Sequence, residues 1–123
     1  MKLMIAGALV LITLSTAAMA EGDAKAGKKV FNKCKACHTV KEGKNKVGPT
    51  LFRIVGARAA QVDGFKYSDA LLDAELTWNV ETLKAFLTKP KELVPGNKMS
   101  FAGLKKEQQI DDLIAYLVAE SEE

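Results

Sequence analysis

The residues with the most distinctive chemistry lie in one run, Cys34-Lys35-Ala36-Cys37-His38. Two thiols three positions apart, followed at once by an imidazole, form the attachment pattern of a c-type haem. On a helical turn Cys34 and Cys37 fall on nearly one face, so each can reach one vinyl group along a porphyrin edge. His38 then projects beside the second thioether bond and can place a ring nitrogen on the iron. Three other readings compete. A CxxC pair serves as a redox disulfide in thioredoxin-like proteins, but that expects a βαβ pattern, and none is visible. Structural zinc needs four nitrogen or sulfur ligands, and this chain has two cysteines and one histidine to offer. Chance grouping is the third, and it is weak because all three residues fall within five positions.

An iron held by His38 has a sixth position on the opposite face. Methionine, lysine, water or an external ligand could fill it. Beyond residue 20 the chain contains one methionine, Met99. It follows Pro95-Gly96-Asn97-Lys98, a segment that cannot be regular helix. A methionine serving as a gap filler would favour a helix or strand position. Met99 is therefore expected as the second axial ligand.

The elements that must position these groups occupy about one domain's worth of the 123 residues. The beginning reads as something else. Met1-Lys2 carries a positive charge, Leu3 to Leu14 is apolar, and Ala18-Met19-Ala20 is a small-x-small cleavage site before Glu21. Residues 1–20 are thus expected to be a secretory signal peptide, since the apolar run falls short of the ~20 residues a bilayer span needs. Residues 21–123 form the domain, and export of a haem-attached protein points to a bacterial periplasm. Removing residues 1–20 takes one lysine and no acid from the net charge of +3, leaving +2. That balance is too weak for a nucleic-acid binder. A domain this short has a marginal core, which a large apolar cofactor would enlarge.

Within the domain, Ala26, Val30, Phe31 and Cys34 recur at helical steps, which predicts a helix over Asp23 to Cys37. Ile110, Leu113, Ile114, Leu117 and Val118 predict a second over roughly Lys105 to Ala119. The two are expected to cross, with Gly27 allowing the approach and Phe31, Leu113 and Tyr116 packing at the contact. Between them the chain is loop-rich. Ser68 is expected to start a short helix to Ala74, and Asn79 to cap one that stops near Lys89, because Pro90 follows. One further turn is expected over Lys91 to Val94. No period-two runs, repeats or low-complexity tracts are present. Helices joined by long loops suit a chain wrapped around a flat cofactor.

At this point the chain closely resembles the class I cytochromes c, and among them the bacterial cytochromes c2. Beside the attachment run, the motifs that carry the resemblance are Val47-Gly48-Pro49-Thr50-Leu51, Gly64-Phe65-Lys66-Tyr67-Ser68-Asp69-Ala70, Leu76-Thr77-Trp78, Lys89-Pro90-Lys91, Pro95-Gly96-Asn97-Lys98-Met99-Ser100-Phe101 and Asp112-Leu113-Ile114-Ala115-Tyr116-Leu117. The resemblance implies an all-α cytochrome c fold: crossed terminal helices, with two or three short helices and long loops wrapping one covalent haem c per chain. It implies that the Pro49 carbonyl accepts a hydrogen bond from His38, fixing its tautomer. Tyr67 and Trp78 would donate to a haem propionate, and Phe101 would cover the haem edge near Met99. Three positions depart from the family pattern. Ala57 replaces a propionate-facing arginine, with Arg58 and Arg53 as neighbours that could compensate. Phe86 replaces a tyrosine whose hydroxyl touches the methionine sulfur, and Asn97 stands in for a threonine with a similar role.

The function so implied is one-electron transport with no bond-making chemistry on a substrate, hence no enzyme. The expected donor is a cytochrome bc1-type complex, and the acceptor a photosynthetic reaction centre or terminal oxidase, so that the protein serves a respiratory or photosynthetic chain. Lys33, Lys46, Lys91, Lys98 and Lys105 flank the segments expected at the haem edge, while Glu120, Glu122 and Glu123 cluster at the C-terminus. Such a dipole steers a monomeric carrier onto acidic partners. The rival functions are a peroxidase or gas binder with an open sixth site, and a haem-free thiol redox module.

Overall fold

The structure, a computed structural model, describes residues 2–11 and 22–122. The expected cut after Ala20 lies outside them. Among the described residues, no helix is long and apolar enough to cross a membrane. Five helices follow one another there: α1 (Ala24–Phe31), α2 (Asp69–Ala74), α3 (Val80–Thr88), α4 (Pro90–Leu93) and α5 (Glu107–Glu120). Extended pairing among these residues is confined to one antiparallel bridge between Arg58 and Thr77.

The terminal helices α1 and α5 cross, and the glycine at the crossing explains how closely. A Cβ on Gly27 would run into the backbone carbonyl of Asp112 and lie 2.7 Å from the Tyr116 Cβ. Beside it the rings of Phe31 and Tyr116 meet with centroids 5.3 Å apart. Val30, Phe31, Ile110, Leu113, Ile114 and Leu117 form the centre of the core, with Ile114 wholly enclosed. Burying a side chain of this size contributes about 1.5–3 kcal/mol, so this contact is the main support of the loops between. Asp112 adds a polar tie, since its Oδ1 accepts the Asp23 N–H at 2.8 Å and the Gln108 Nε2–H at 2.9 Å.

Capping sets the other helix starts. The Ser68 hydroxyl accepts from the Leu71 N–H at 3.1 Å and opens α2, and the Asn79 Oδ1 accepts from the Thr82 N–H at 2.8 Å and opens α3. Helix α3 ends at Thr88, before Pro90 begins α4. The Lys84 ammonium lies 2.9 Å from the Asp111 carboxylate and joins α3 to α5. Gly103, at φ +117°, passes over the end of α3, where a Cβ would collide with the Thr88 carbonyl. There the Leu104 N–H donates to Leu87 O at 2.7 Å.

Two boundaries differ from expectation: the extra turn runs Pro90–Leu93 where the sequence predicts Lys91 to Val94, and α1 ends early. Regular helix stops at Phe31, not Cys37. Bonds from the N–H groups of Lys33 to Val30 O and of Cys34 to Phe31 O close three-residue turns instead, which tighten the chain beyond an α-helix.

Candidate haem-binding site

The attachment run keeps one helical turn of its own. The N–H groups of Cys37 and His38 both donate to the Cys34 carbonyl, at 3.1 and 2.9 Å. Cys34 is half-buried and Cys37 exposed. Burial pushes the Cys34 thiol above its ordinary value, against the lowering influence of Lys33.

His38 is held from the next loop. Its Nδ1 lies 2.7 Å from the Pro49 carbonyl oxygen. A carbonyl only accepts, so Nδ1 carries the proton and Nε2 keeps a lone pair. Burial lowers the His38 pKa, partly offset by this bond, a direction that favours the neutral ring a metal ligand needs. Gly48 packs against it: a Cβ there would lie 2.5 Å from Cε1 of the ring. The loop is in turn bound to the attachment turn through Gly48 N–H to Cys37 O at 2.7 Å and Leu51 N–H to Thr39 O at 2.8 Å. Thr50 braces it, with its hydroxyl donating to Lys41 O at 2.6 Å and its N–H donating to Asn45 Oδ1 at 2.9 Å.

Tyr67 and Trp78 come from separate segments, and no hydrogen bond or ring contact joins them among the described residues. The Tyr67 hydroxyl accepts the Val62 N–H at 3.0 Å, leaving its own proton to donate elsewhere. Burial raises its pKa, with that bond acting in the opposite direction. Trp78 is 6% exposed and meets Phe86 with ring centroids 4.9 Å apart. Its backbone is zipped to the preceding loop by Trp78 N–H to Ala57 O and Gly56 N–H to Trp78 O, both 2.7 Å. In that pairing Arg58 shares an exposed face with Thr77. Side chains alternate along an extended segment, so Arg58 points away from buried Trp78. Arg53 lies with its guanidinium 5.0 Å from the Phe52 ring centroid, and its N–H donates to the Ser121 hydroxyl at the end of α5.

Met99 and Phe101 are both half-buried, in a segment without regular structure. Asn97 does not take the expected place at the methionine sulfur. Its amide is spent on the backbone, donating to Pro90 O at 3.0 Å and Val94 O at 2.8 Å while Oδ1 accepts the Met99 N–H at 2.9 Å. Two lysines expected only at the surface also hold backbone carbonyls, Lys46 that of Lys35 at 2.7 Å and Lys91 that of Asn97 at 2.9 Å. Sequence reading missed these ties, because nothing in a lysine's neighbours tells which carbonyl it reaches.

The donor set fits haem. Two thiols and an imidazole with a free nitrogen share one turn, and Ile54, Leu71, Leu76, Phe86, Leu87 and Phe101 pack on the core while remaining only partly buried. An apolar surface left half-covered by its own side chains is what a flat apolar cofactor requires.

Residues 24–120 match the family Cytochrome c. The chain belongs to the cytochrome c family. It is 43% identical over 110 residues to cytochrome c2 of Blastochloris viridis, covering 89% of this chain and 87% of that one. It is 47% identical over 97 residues to cytochrome c-550 of Nitrobacter winogradskyi, covering 78% and 89%. Among solved structures, cytochrome cH from Methylobacterium extorquens superposes with a TM-score of 0.76 at 50% identity, over 80% of this chain and 99% of that one. The fold is accordingly that of cytochrome c, and Cys34 and Cys37 fit the attachment motif of its covalently bound haem c. The chain is a cytochrome c2-like electron carrier.

Proposed function

We propose that this cytochrome is a monomeric periplasmic shuttle, residues 21–123 after loss of a signal peptide over residues 1–20. It would carry single electrons from a cytochrome bc1-type complex to a photosynthetic reaction centre or terminal oxidase. Haem iron supplies the one-electron couple. Cys34 and Cys37 would tether the group, and His38 and Met99 would supply its iron ligands. A soft thioether and a neutral imidazole serve both oxidation states without exchange, which keeps the reorganisation barrier low and favours the reduced form. Tyr67 and Trp78 would donate toward a propionate, and Phe101 would shield the haem edge near Met99.

The observation that carries this reading is the His38 Nδ1 to Pro49 carbonyl bond of 2.7 Å. It leaves Nε2 as the ligating atom and makes it more basic. Lys33, Lys98 and Lys105 are exposed and, with Lys46 and Lys91, form the positive docking face. The last two each commit one ammonium proton to a carbonyl, which leaves two apiece for a partner.

An optical redox titration of the purified protein tests the ligation. A six-coordinate spectrum that changes in Met99→Ala is expected. Prompt carbon monoxide binding by the reduced wild-type protein at neutral pH would replace this reading with an open-site peroxidase or gas binder.

A further inference from the structure

Every polar group of Asn97 is occupied by a neighbouring segment. Val94, Pro95, Gly96 and Asn97 form a turn closed by Asn97 N–H to Val94 O at 3.2 Å, with Gly96 at φ +87°. Proline second and a positive-φ glycine third make this a type II turn. The side chain then folds back on the turn and on α4. Its two Nδ2 protons go to Pro90 O and Val94 O, carbonyls that also accept the N–H groups of Val94 and Asn97. Its Oδ1 takes the Met99 N–H, and its own carbonyl takes the Lys91 ammonium. Asn97 is 6% exposed and Pro90 is fully buried, so water cannot easily replace these bonds.

We propose that Asn97 is the positioning residue of Met99, clamping the sixth-ligand segment to α4 through three amide bonds. This rests on the reading of Met99 as an axial ligand. A threonine at 97 offers one donor and could not close all three bonds. Where the family position holds a residue that reaches the ligand itself, this chain fixes the ligand through its backbone. An added ligand reaches the iron only from the state in which Met99 has swung away, so its apparent affinity follows that state's population. Losing the clamp raises that population without unfolding α1 and α5, since local opening draws on local contacts.

The test uses the ferric haem-loaded protein and imidazole as the probe. Asn97→Ala is expected to bind imidazole at least ~10-fold more tightly, the scale of one lost buried hydrogen bond at its upper end. Asp112→Ala, which loosens α1 from α5, is expected to lower the melting temperature yet leave imidazole affinity within about twofold. Equal affinity in Asn97→Ala and wild type, or an equal gain in Asp112→Ala, overturns the proposal. Should Asn97→Ala fail to fold, Asn97→Ser is read the same way. Amide exchange at Met99 in the wild type adds a reading without substitution: slow exchange is expected, and solvent-like exchange overturns the clamp. Met99→Ala is run alongside. An unchanged spectrum there removes the ligation reading and the clamp together, whereas a changed spectrum with unaltered Asn97→Ala affinity removes the clamp alone.

Discussion

The Nδ1 of His38 lies 2.7 Å from the carbonyl oxygen of Pro49, and Gly48 closes on the same ring so tightly that a Cβ would stand 2.5 Å from it. One loop therefore orients the imidazole from its edge and limits it from the side. Gly48→Ala should push the ring off this bond. Overpacking of this kind costs about 1–3 kcal/mol, and the expected outcome is a lower melting temperature with a shifted reduction potential. Calorimetry and a redox titration check it. An unchanged potential would mean that the ring has room to adjust.

Gly27→Ala should destabilise the whole fold. Alanine in mid-helix gains ~1 kcal/mol over glycine, but here its methyl would occupy the space of the Asp112 carbonyl. Because the obstacle is backbone on α5, the helices must separate and the Phe31–Tyr116 contact must loosen. A net loss of roughly 2 kcal/mol or more is expected in denaturant unfolding. A stabilised variant would show that the crossing can widen freely.

Phe86→Tyr bears on the hydroxyl that this chain lacks. Phe86 packs on Trp78 at 4.9 Å. With no hydroxyl at 86, the proposed bond from Met99 to iron would depend on packing and on the proposed Asn97 clamp. The tyrosine should alter the reduction potential and move the pH at which Met99 is displaced. Identical values for both would count against a role for the missing group.

The Tyr67 pKa is raised, chiefly by burial. As pH rises past about 10, the ordinary tyrosine value, the unfolded chain loses this proton while the folded chain keeps it. Tyr67 therefore contributes stability that is complete below pH 10 and declines as pH climbs through the higher folded value. Tyr67→Phe should show a shallower fall in stability above pH 10 than the wild type. Parallel curves would contradict the assignment.

Electron transfer to an acidic partner should slow as ionic strength rises, because exposed lysines act through a screened field. Lys33→Glu and Lys98→Glu should each lower the bimolecular rate at low salt and flatten its salt dependence. Stopped-flow mixing with a reduced partner measures both. Rates indifferent to salt would remove the steering role.

Much of this protein was legible in its residues because the signals are local. The attachment run spans one turn of chain, Ser68 and Asn79 announce their helices within three residues, and the stripe from Ile110 to Val118 needs its own periodicity alone. Gly27 could be read as a crossing point because a mid-helix glycine costs stability unless something approaches it. The early end of α1 was not legible, since the apolar spacing continues to Cys34 while the backbone tightens into turns.

What the sequence determined by itself is the chemistry: two thiols, one imidazole and one methionine in the domain, at spacings that suit one haem. Tertiary structure decided how those groups are held. The Arg58 side chain faces solvent because its bridge partner is exposed Thr77, and Asn97 serves the backbone because Pro90 and Val94 bring their carbonyls within reach. Donor types are a property of residues, but which donor meets which acceptor depends on how distant segments pack.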